Sequence, residues 1–260
     1  MDNNLQDFSL DYFSLTGKVA IVTGGNTGLG QGYAVALAKA GADLFIVTYD
    51  DAWAETKELI ENEGRRAEFL QGDLTDRSFV KQVVTTCIEI YGKIDILVNN
   101  AGTIRRAPLL EYKPEDWDAV MEINLNSVYF LSQEVAKVMV EQKSGKIINI
   151  GSMLSFQGGK FIPPYTASKH AVAGITKSFA NELAEYGIQI NAIAPGYVAT
   201  ANTAPIRADE KRNAEILSRI PANRWAAPKD LMGIVVFLSS RASDYMNGHM
   251  LVVDGGWLAR

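Results

Sequence analysis

Residues 18–41 read KVAIVTGGNTGLGQGYAVALAKAG. An apolar, β-branched run ends at Thr23, glycines follow at 24, 28 and 30 in a TGxxxGxG spacing, and an alanine-rich helical pattern completes the stretch. Glycine lets the backbone turn sharply and approach a ligand, while a helix that starts there offers unpaired N–H groups and the positive end of its dipole. Strand, glycine turn and helix in that order read as a pyrophosphate cradle, with Gly24, Asn26, Thr27, Gly28, Leu29 and Gly30 facing a dinucleotide. A glycine turn alone would also serve as a plain strand-to-helix connection. The small Ala34, Ala36 and Ala38, which permit close packing of the helix on a sheet, weigh against that reading.

The alternation of short apolar runs with longer helical patterns continues outward from this unit. DLFIVTY, RAEFLQGD, IDILVNNAG, GKIINIGS, IQINAIAPG and HMLVVDGG follow as strands, separated by helical segments that include one around Trp117 to Val140 and one near Leu231 to Leu238. Runs such as Ile94–Val98 are apolar without alternation, which is the pattern of strands covered by helices on both faces. The fold class is α/β: a Rossmann-type, doubly wound parallel sheet of seven strands in a single domain over residues 1–260. The one long segment without a strand, residues 197–227, carries Pro205 and Pro221 around a helical ADEKRNAEILSRI and reads as a substrate-side flap at the carboxyl edge of the sheet.

Composition narrows the function. With 47% hydrophobic and 21% charged residues the chain can bury a large core, and disorder is excluded as its main state. A net charge of −5 disfavours a nucleic-acid surface, and two histidines without clustered cysteines leave no zinc site, so no metal is expected. The N-terminal residues do not read as a signal peptide and no apolar stretch is long enough to span a bilayer, so the sequence predicts a cytoplasmic protein. Cys87 falls on an apolar stripe with Phe79, Val83 and Ile90 and reads as a packing residue.

The second strand ends at Thr48, followed by Tyr49, Asp50 and Asp51. The adenosine ribose of a dinucleotide belongs at this point, and two carboxylates with no neighbouring Arg or Lys favour NAD over NADP. Asp73, with Leu74, follows the third strand and suits either an adenine contact or a helix cap. Further on, Tyr165 and Lys169 in PYTASKHAVAG stand four residues apart, on one helix face, where an ammonium favours the phenolate of its neighbour. Most isolated pairs of this kind are surface pairs. Here Ser152 lies just past a central strand, placed to hold an oxygen that carries charge during a reaction, although alone it also suits a capping serine. Asn124 sits mid-helix, where an amide needs a specific partner, and a satisfied core amide is its other reading.

Thr23-Gly24-x3-Gly28-x-Gly30, Asn99-Asn100-Ala101-Gly102, Asn124, Ser152, Tyr165-x3-Lys169 and Pro195-Gly196 occur in one order, and together they resemble the short-chain dehydrogenase/reductase family. The resemblance implies strand order 3-2-1-4-5-6-7 and a nicotinamide cofactor at the point where that order reverses. It implies Tyr165 as general acid/base, Lys169 as the group that lowers its pKa and holds the nicotinamide ribose, Ser152 as anchor of the reacting oxygen, and Asn124 as holder of a water beside Lys169. It also puts Asn99, Ala101 and Gly102 near the adenosine ribose and Val198 and Thr200 near the carboxamide, with Asn100, Pro195 and Gly196 among the cofactor-binding residues. Thr48 departs from the aspartate of many NAD-dependent members.

The stretches IRR, SMLSFQGG, APGYVATANT, RADEKRNAEILSRIPANRW and DGGWLAR extend the resemblance to sugar-acid dehydrogenases within the family. A sugar-acid substrate needs a cation for its carboxylate, for which Arg105, Arg106 and Arg207 are candidates, with Gln157 and Trp225 as polar and stacking walls. Each arginine suits a solvated or interface charge equally well. The family also implies a homotetramer, and Trp257 and Leu258 near the chain end suggest packing against a second subunit. Two rival classes are a non-catalytic nucleotide-binding scaffold, against which the intact Asn124, Ser152, Tyr165 and Lys169 speak, and an epimerase or dehydratase with tightly held NAD.

Overall fold

The computed structural model describes residues 7–259. Seven strands, β1 Val19–Thr23, β2 Asp43–Thr48, β3 Ala67–Gln71, β4 Ile96–Asn99, β5 Gly145–Ile150, β6 Ile188–Pro195 and β7 Met250–Val253, form one sheet in the order β3-β2-β1-β4-β5-β6-β7. All six pairings are parallel.

The apolar runs fail to alternate because both faces of the sheet are buried. On one face Ala20, Val22, Leu44, Ile46, Ile96, Val98, Ile148 and Ile193 pack under α1 Gly28–Lys39, α2 Ala54–Glu61 and α9 Met232–Ser239. On the other, Val19, Ile21, Phe45, Val47, Leu97, Ile147 and Ile190 pack under α3 Arg77–Tyr91, α5 Ser127–Gln142 and α6 Pro163–Leu183. Cys87 belongs to this second cluster, and burial pushes its thiol up to about 12, which makes it a packing group without thiolate chemistry.

The helix expected around Trp117 to Val140 is interrupted. It consists of α4 Pro114–Met121, a π-helical turn Glu122–Asn126 and α5. The extra residue of a π turn lets Asn124 point inward, and it is fully buried there. The segment near Leu231 to Leu238 likewise begins as a 3₁₀ turn, Pro228–Leu231, before α9. Within the flap, α7 Ala204–Ala208 and α8 Glu210–Arg219 lie between two ends that are tied together, Val198 bridging Ala226 in parallel register.

At the carboxyl edge of the sheet, polar side chains of β4 and β5 form a chain of hydrogen bonds. Asn99 and Asn149 face each other across β4 and β5. Asn99 Nδ2 donates to Asn149 Oδ1 and to Ser132 Oγ of α5, both at 2.9 Å. Asn149 Nδ2 donates to Thr176 Oγ1 of α6 at 2.9 Å, and Thr176 donates to the Val172 carbonyl at 2.7 Å. All four side chains are buried, so each depends on the others for its partner. Asn99, expected beside an adenosine ribose, lies beneath the edge instead; its amide is occupied in fixing the register of β4 on β5.

Among the described residues no helix is long and apolar enough to cross a membrane, and no group of three or more His, Cys, Asp or Glu could hold a metal ion. Arg260 and residues 1–6 lie outside the described residues. Asn149→Ala strands buried partners on both sides, so it should lower the unfolding free energy by roughly 1–3 kcal/mol for each. Urea denaturation checks this, and a loss below about 1 kcal/mol would show that the ladder does not hold the sheet edge.

Candidate active site

A cleft of about 370 Å³ opens at the carboxyl edge where β1 and β4 diverge, the place a doubly wound sheet offers a ligand. Its floor is the glycine turn. Gly24 and Gly28 have φ of +61° and +57°, a conformation glycine adopts without strain. A Cβ on Gly30 would lie 1.9 Å from the Gly24 carbonyl oxygen and 2.5 Å from Asn100 Nδ2, so α1 starts closer to the turn than any side chain allows. Asn100 braces the turn by donating to the carbonyls of Thr23 and Gly24 at 2.9 and 3.0 Å, and Thr23 Oγ1 accepts from the N–H groups of Asn100 and Ala101.

These residues fit a dinucleotide pyrophosphate. Thr27 precedes α1 in an extended conformation and makes no side-chain cap, which leaves the first-turn N–H groups for an anion. A Cβ on Gly28 would meet only Thr200, at 3.7 and 3.8 Å across the cleft, so the missing side chain keeps a groove open above the helix end. Gly24, Asn26, Thr27, Gly28, Leu29, Gly30, Asn100, Ala101, Gly102, Pro195, Gly196, Val198 and Thr200 all line the cleft, as the sequence leads one to expect.

The expected adenosine end is arranged differently. Thr48 is buried with its Oγ1 unpaired, Tyr49 is exposed, and neither lines the cleft. The contact between strand end and glycine turn is made by Asp50, whose carboxylate accepts from Asn26 Nδ2 at 2.8 Å and from the Ala52 N–H at 3.1 Å. Asp73 also stays outside. It accepts from the N–H and hydroxyl of Thr75 at 2.9 and 2.8 Å, a local turn, while Asp76 caps α3 and Leu74 is buried.

The opposite wall carries Ser152, Tyr165 and Lys169 together with Arg106. Ser152 follows β5: its Oγ accepts from the Leu154 N–H at 3.1 Å, capping the 3₁₀ turn Met153–Ser155, and its hydroxyl lies where it lowers the pKa of the Tyr165 phenol. Tyr165 is half-buried, and burial raises its phenol above the ordinary value near 10 while the Ser152 hydroxyl and the charge of Arg106 pull it back.

Lys169 is oriented otherwise than its spacing suggests. Its Nζ donates to the Ile150 carbonyl at 2.6 Å and lies 5.5 Å from the centre of the Tyr165 ring. Burial pushes the amine down to about 8. Arg106 adds a charge that favours the Tyr165 phenolate, while the Lys169 amine is hydrogen-bonded to the backbone carbonyl at the end of β5. Asn124 also differs from expectation. Its Oδ1 accepts from the Thr103 N–H at 2.8 Å, and its Nδ2 donates to the Thr103 carbonyl at 2.9 Å and to Ser168 Oγ at 3.4 Å, so the amide clamps the strand-β4 loop and makes no bond to Lys169.

Of the expected substrate residues only Arg106 and Ser152 line the cleft. Arg105 faces outward to Asp116 at 3.7 Å. Arg207 donates to the Thr200 carbonyl at 3.0 Å, Trp225 Nε1 to Asn213 at 2.7 Å, and Gln157 accepts from Trp257 Nε1 at 3.3 Å. Sequence reasoning missed Thr103 and Ile104 on the near wall and Ala201, Asn202 and Thr203 at the flap entrance. Their only sequence signal was position, directly after NNAG and after the PGYVAT turn.

A family model described as short chain dehydrogenase matches residues 18–211. The chain belongs to the short-chain dehydrogenase family. A 2-dehydro-3-deoxy-D-gluconate 5-dehydrogenase of Bacillus subtilis is 55% identical over 250 residues, 96% of this chain and 98% of the relative. A solved structure described as a 2-deoxy-D-gluconate 3-dehydrogenase from Agrobacterium tumefaciens, with NADP bound, superposes with a TM-score of 0.89 at 49% identity, covering 95% of this chain and 99% of that one. A gluconate 5-dehydrogenase from Burkholderia cenocepacia, in complex with NADP and tartrate, gives a TM-score of 0.93 at 39% identity over 97% and 100% of the two chains. This short-chain dehydrogenase is therefore an oxidoreductase with a nucleotide-binding fold, and its relatives support dependence on NAD or NADP.

The lowered Lys169 pKa has a sign that can be measured without any ligand. Between pH 8 and 10.5 the unfolded chain holds a proton that the folded chain has released, so this group adds stability as pH rises through that window. The stability of the wild type relative to Lys169→Met should therefore grow above pH 8 and stay level below it. A difference independent of pH would show that the amine is not desolvated.

Proposed function

We propose that this short-chain dehydrogenase is an NAD-dependent 2-dehydro-3-deoxy-D-gluconate 5-dehydrogenase, acting at C5 of a 3-deoxy-2-keto-hexonate in uronate breakdown, as a cytoplasmic homotetramer. The observation that carries the substrate class is Arg106, which shares a cleft with Ser152, Tyr165 and Lys169. A carboxylate entering that cleft gives up water, and a guanidinium is the partner that compensates it. The relatives named as sugar-acid dehydrogenases, at 55% identity over nearly the full chain, support the same class.

NAD is proposed over NADP because no Arg or Lys stands at the Gly24–Gly30 end of the cleft, and the Asp50 carboxylate beside Asn26 would repel a 2′-phosphate. The solved relatives that hold NADP are the argument on the other side, so both cofactors belong in the assay.

The nicotinamide, when bound, supplies the hydride acceptor or donor. Gly24, Gly28, Gly30 and the α1 N-terminus would hold its pyrophosphate. On the opposite wall the Ser152 hydroxyl donates to the reacting oxygen and keeps it beside Tyr165 Oη. In the reductive direction the neutral Tyr165 phenol gives its proton to that oxygen as the alkoxide forms; in the oxidative direction its phenolate removes the hydroxyl proton. Lys169, anchored on Ile150, holds positive charge near this exchange, and Arg106 both pairs the substrate carboxylate and favours the phenolate. A phenol raised by burial is a donor at neutral pH, so reduction runs readily there and oxidation gains as pH rises.

A panel of keto- and hydroxy-sugar acids, followed by nicotinamide absorbance with NADH and NADPH, tests the reading. Turnover is expected with the 3-deoxy-2-keto acid and NAD, and gluconate as the better substrate would replace it with gluconate 5-dehydrogenase. Tyr165→Phe should lower kcat by on the order of 10²–10⁴ with NADH binding retained. Arg106→Ala should raise the KM of an acidic sugar by about 10- to 100-fold and spare a neutral polyol. Equal effects on both substrates would remove Arg106 from the carboxylate site.

A further inference from the structure

The chain end does not behave as an unpartnered apolar tail. Trp257 is 5% exposed within its own chain, which corrects the expectation that it needs a second subunit for cover. The turn that leads to it is built for one position. Asp254 Oδ1 and Oδ2 accept from the N–H groups of Gly256 and Leu258, both at 2.8 Å. Gly255 and Gly256 have φ of +66° and +91°, and a Cβ on Gly256 would meet Pro221 at 2.9 Å. The Gly255 carbonyl accepts from the Ala222 N–H at 3.0 Å, so the terminal turn is hydrogen-bonded to the flap's return path.

From there Trp257 touches two segments that bound the cleft from different sides. Toward the flap it packs with Ile216 and Ile220 at the end of α8, and the Arg219 guanidinium stacks 4.0 Å from its ring. The Tyr197 ring meets it edge-on at 4.9 Å, and Tyr197 meets Trp225 at 5.2 Å, so the two ends of the flap converge on this indole. Toward the reacting wall it shares a buried cluster with Met153, the residue after Ser152, and its Nε1 donates to Gln157 on the same loop at 3.3 Å. Tyr197 in turn lies between Gly196 and Val198, both of which line the cleft.

We propose that Trp257 is a positioning residue for the substrate: by joining the root of the flap to the loop that carries Ser152, it sets the width of the cleft between Arg106 and the flap residues Ala201, Asn202 and Thr203. The phosphate end of the cleft is formed by α1 and Asn100, none of whose residues belongs to the cluster around Trp257. Loss of the indole therefore loosens the sugar-acid half of the cleft while the dinucleotide half keeps its shape. The kinetic part of this inference rests on the proposed activity; the clamping of the flap does not.

The test uses the full chain with Trp257→Ala, Trp257→Phe and Gln157→Leu, and two readouts. Tryptic cleavage at Lys211, Arg212 and Arg219, in conditions where the rest of the fold resists, should be about tenfold faster in Trp257→Ala and within about twofold of wild type in Trp257→Phe, which keeps an aromatic ring in the cluster. In steady-state assays Trp257→Ala should raise the KM for the sugar acid by about tenfold, with NADH Kd, titrated by fluorescence, unchanged within about twofold; Gln157→Leu should raise KM by about threefold. A KM and an NADH Kd that rise together would mean general loosening and overturn the proposal, as would unchanged tryptic rates. Should Trp257→Ala fail to fold, Gln157→Leu carries the test, and a KM equal to wild type overturns the proposal. If the wild type turns over no sugar acid, the proposed activity falls and the tryptic contrast alone decides whether Trp257 clamps the flap.

Discussion

The buried hydrogen-bond ladder Asn99–Asn149–Thr176 is the constraint on which the rest of the site depends. Both faces of β4 and β5 are covered with apolar side chains, so a one-residue slip in their register would leave two amides and a hydroxyl buried without partners. The ladder also fixes α6. Thr176, Val172, Lys169 and Tyr165 fall on one face of that helix at intervals of four, three and four, so holding Thr176 against Asn149 turns Lys169 and Tyr165 toward the end of β5 and Ser152. A polar contact well below the cleft thus aims the groups that line it.

A second consequence concerns charge. The site has two cations near one phenol, and their roles divide by solvation. Lys169 is enclosed, its amine is pushed down to about 8, and it is engaged with the Ile150 carbonyl. Arg106 lines the same cleft, and its charge draws the Tyr165 phenol down. A carboxylate paired to Arg106 weakens that pull and raises the phenol further, so an acidic substrate couples its own binding to the proton affinity of the group that reacts with it.

The fold was legible in the sequence because its signals are local and repeated. Apolar runs alternating with helical patterns marked all seven strands, and the order of the sheet with its switch point came from the family resemblance. The cleft wall was legible where a motif names a backbone position, as in Gly24 to Gly30, or a short helical spacing, as in Tyr165 and Lys169. Residues whose roles depend on contacts far apart in the chain were not. Gln157 and Trp257, separated by a hundred positions, meet only in the folded structure, which is why Gln157 read as a substrate wall and Trp257 as an interface residue. Asn124 was placed correctly in the interior, yet its partner Thr103 could not be read from a helix pattern that gives no sign of the π turn. Arg105 and Arg106 are neighbours with opposite outcomes, a difference set by the loop that sends one to Asp116 and the other into the cleft.

The most direct test of the account is a crystal structure of the protein with dinucleotide and the 3-deoxy-2-keto acid bound. The account predicts the C5 oxygen within roughly 3 Å of both Tyr165 Oη and Ser152 Oγ, with the substrate carboxylate on Arg106. A sugar acid seated with that oxygen away from both hydroxyls, or with its carboxylate turned to solvent, would contradict it.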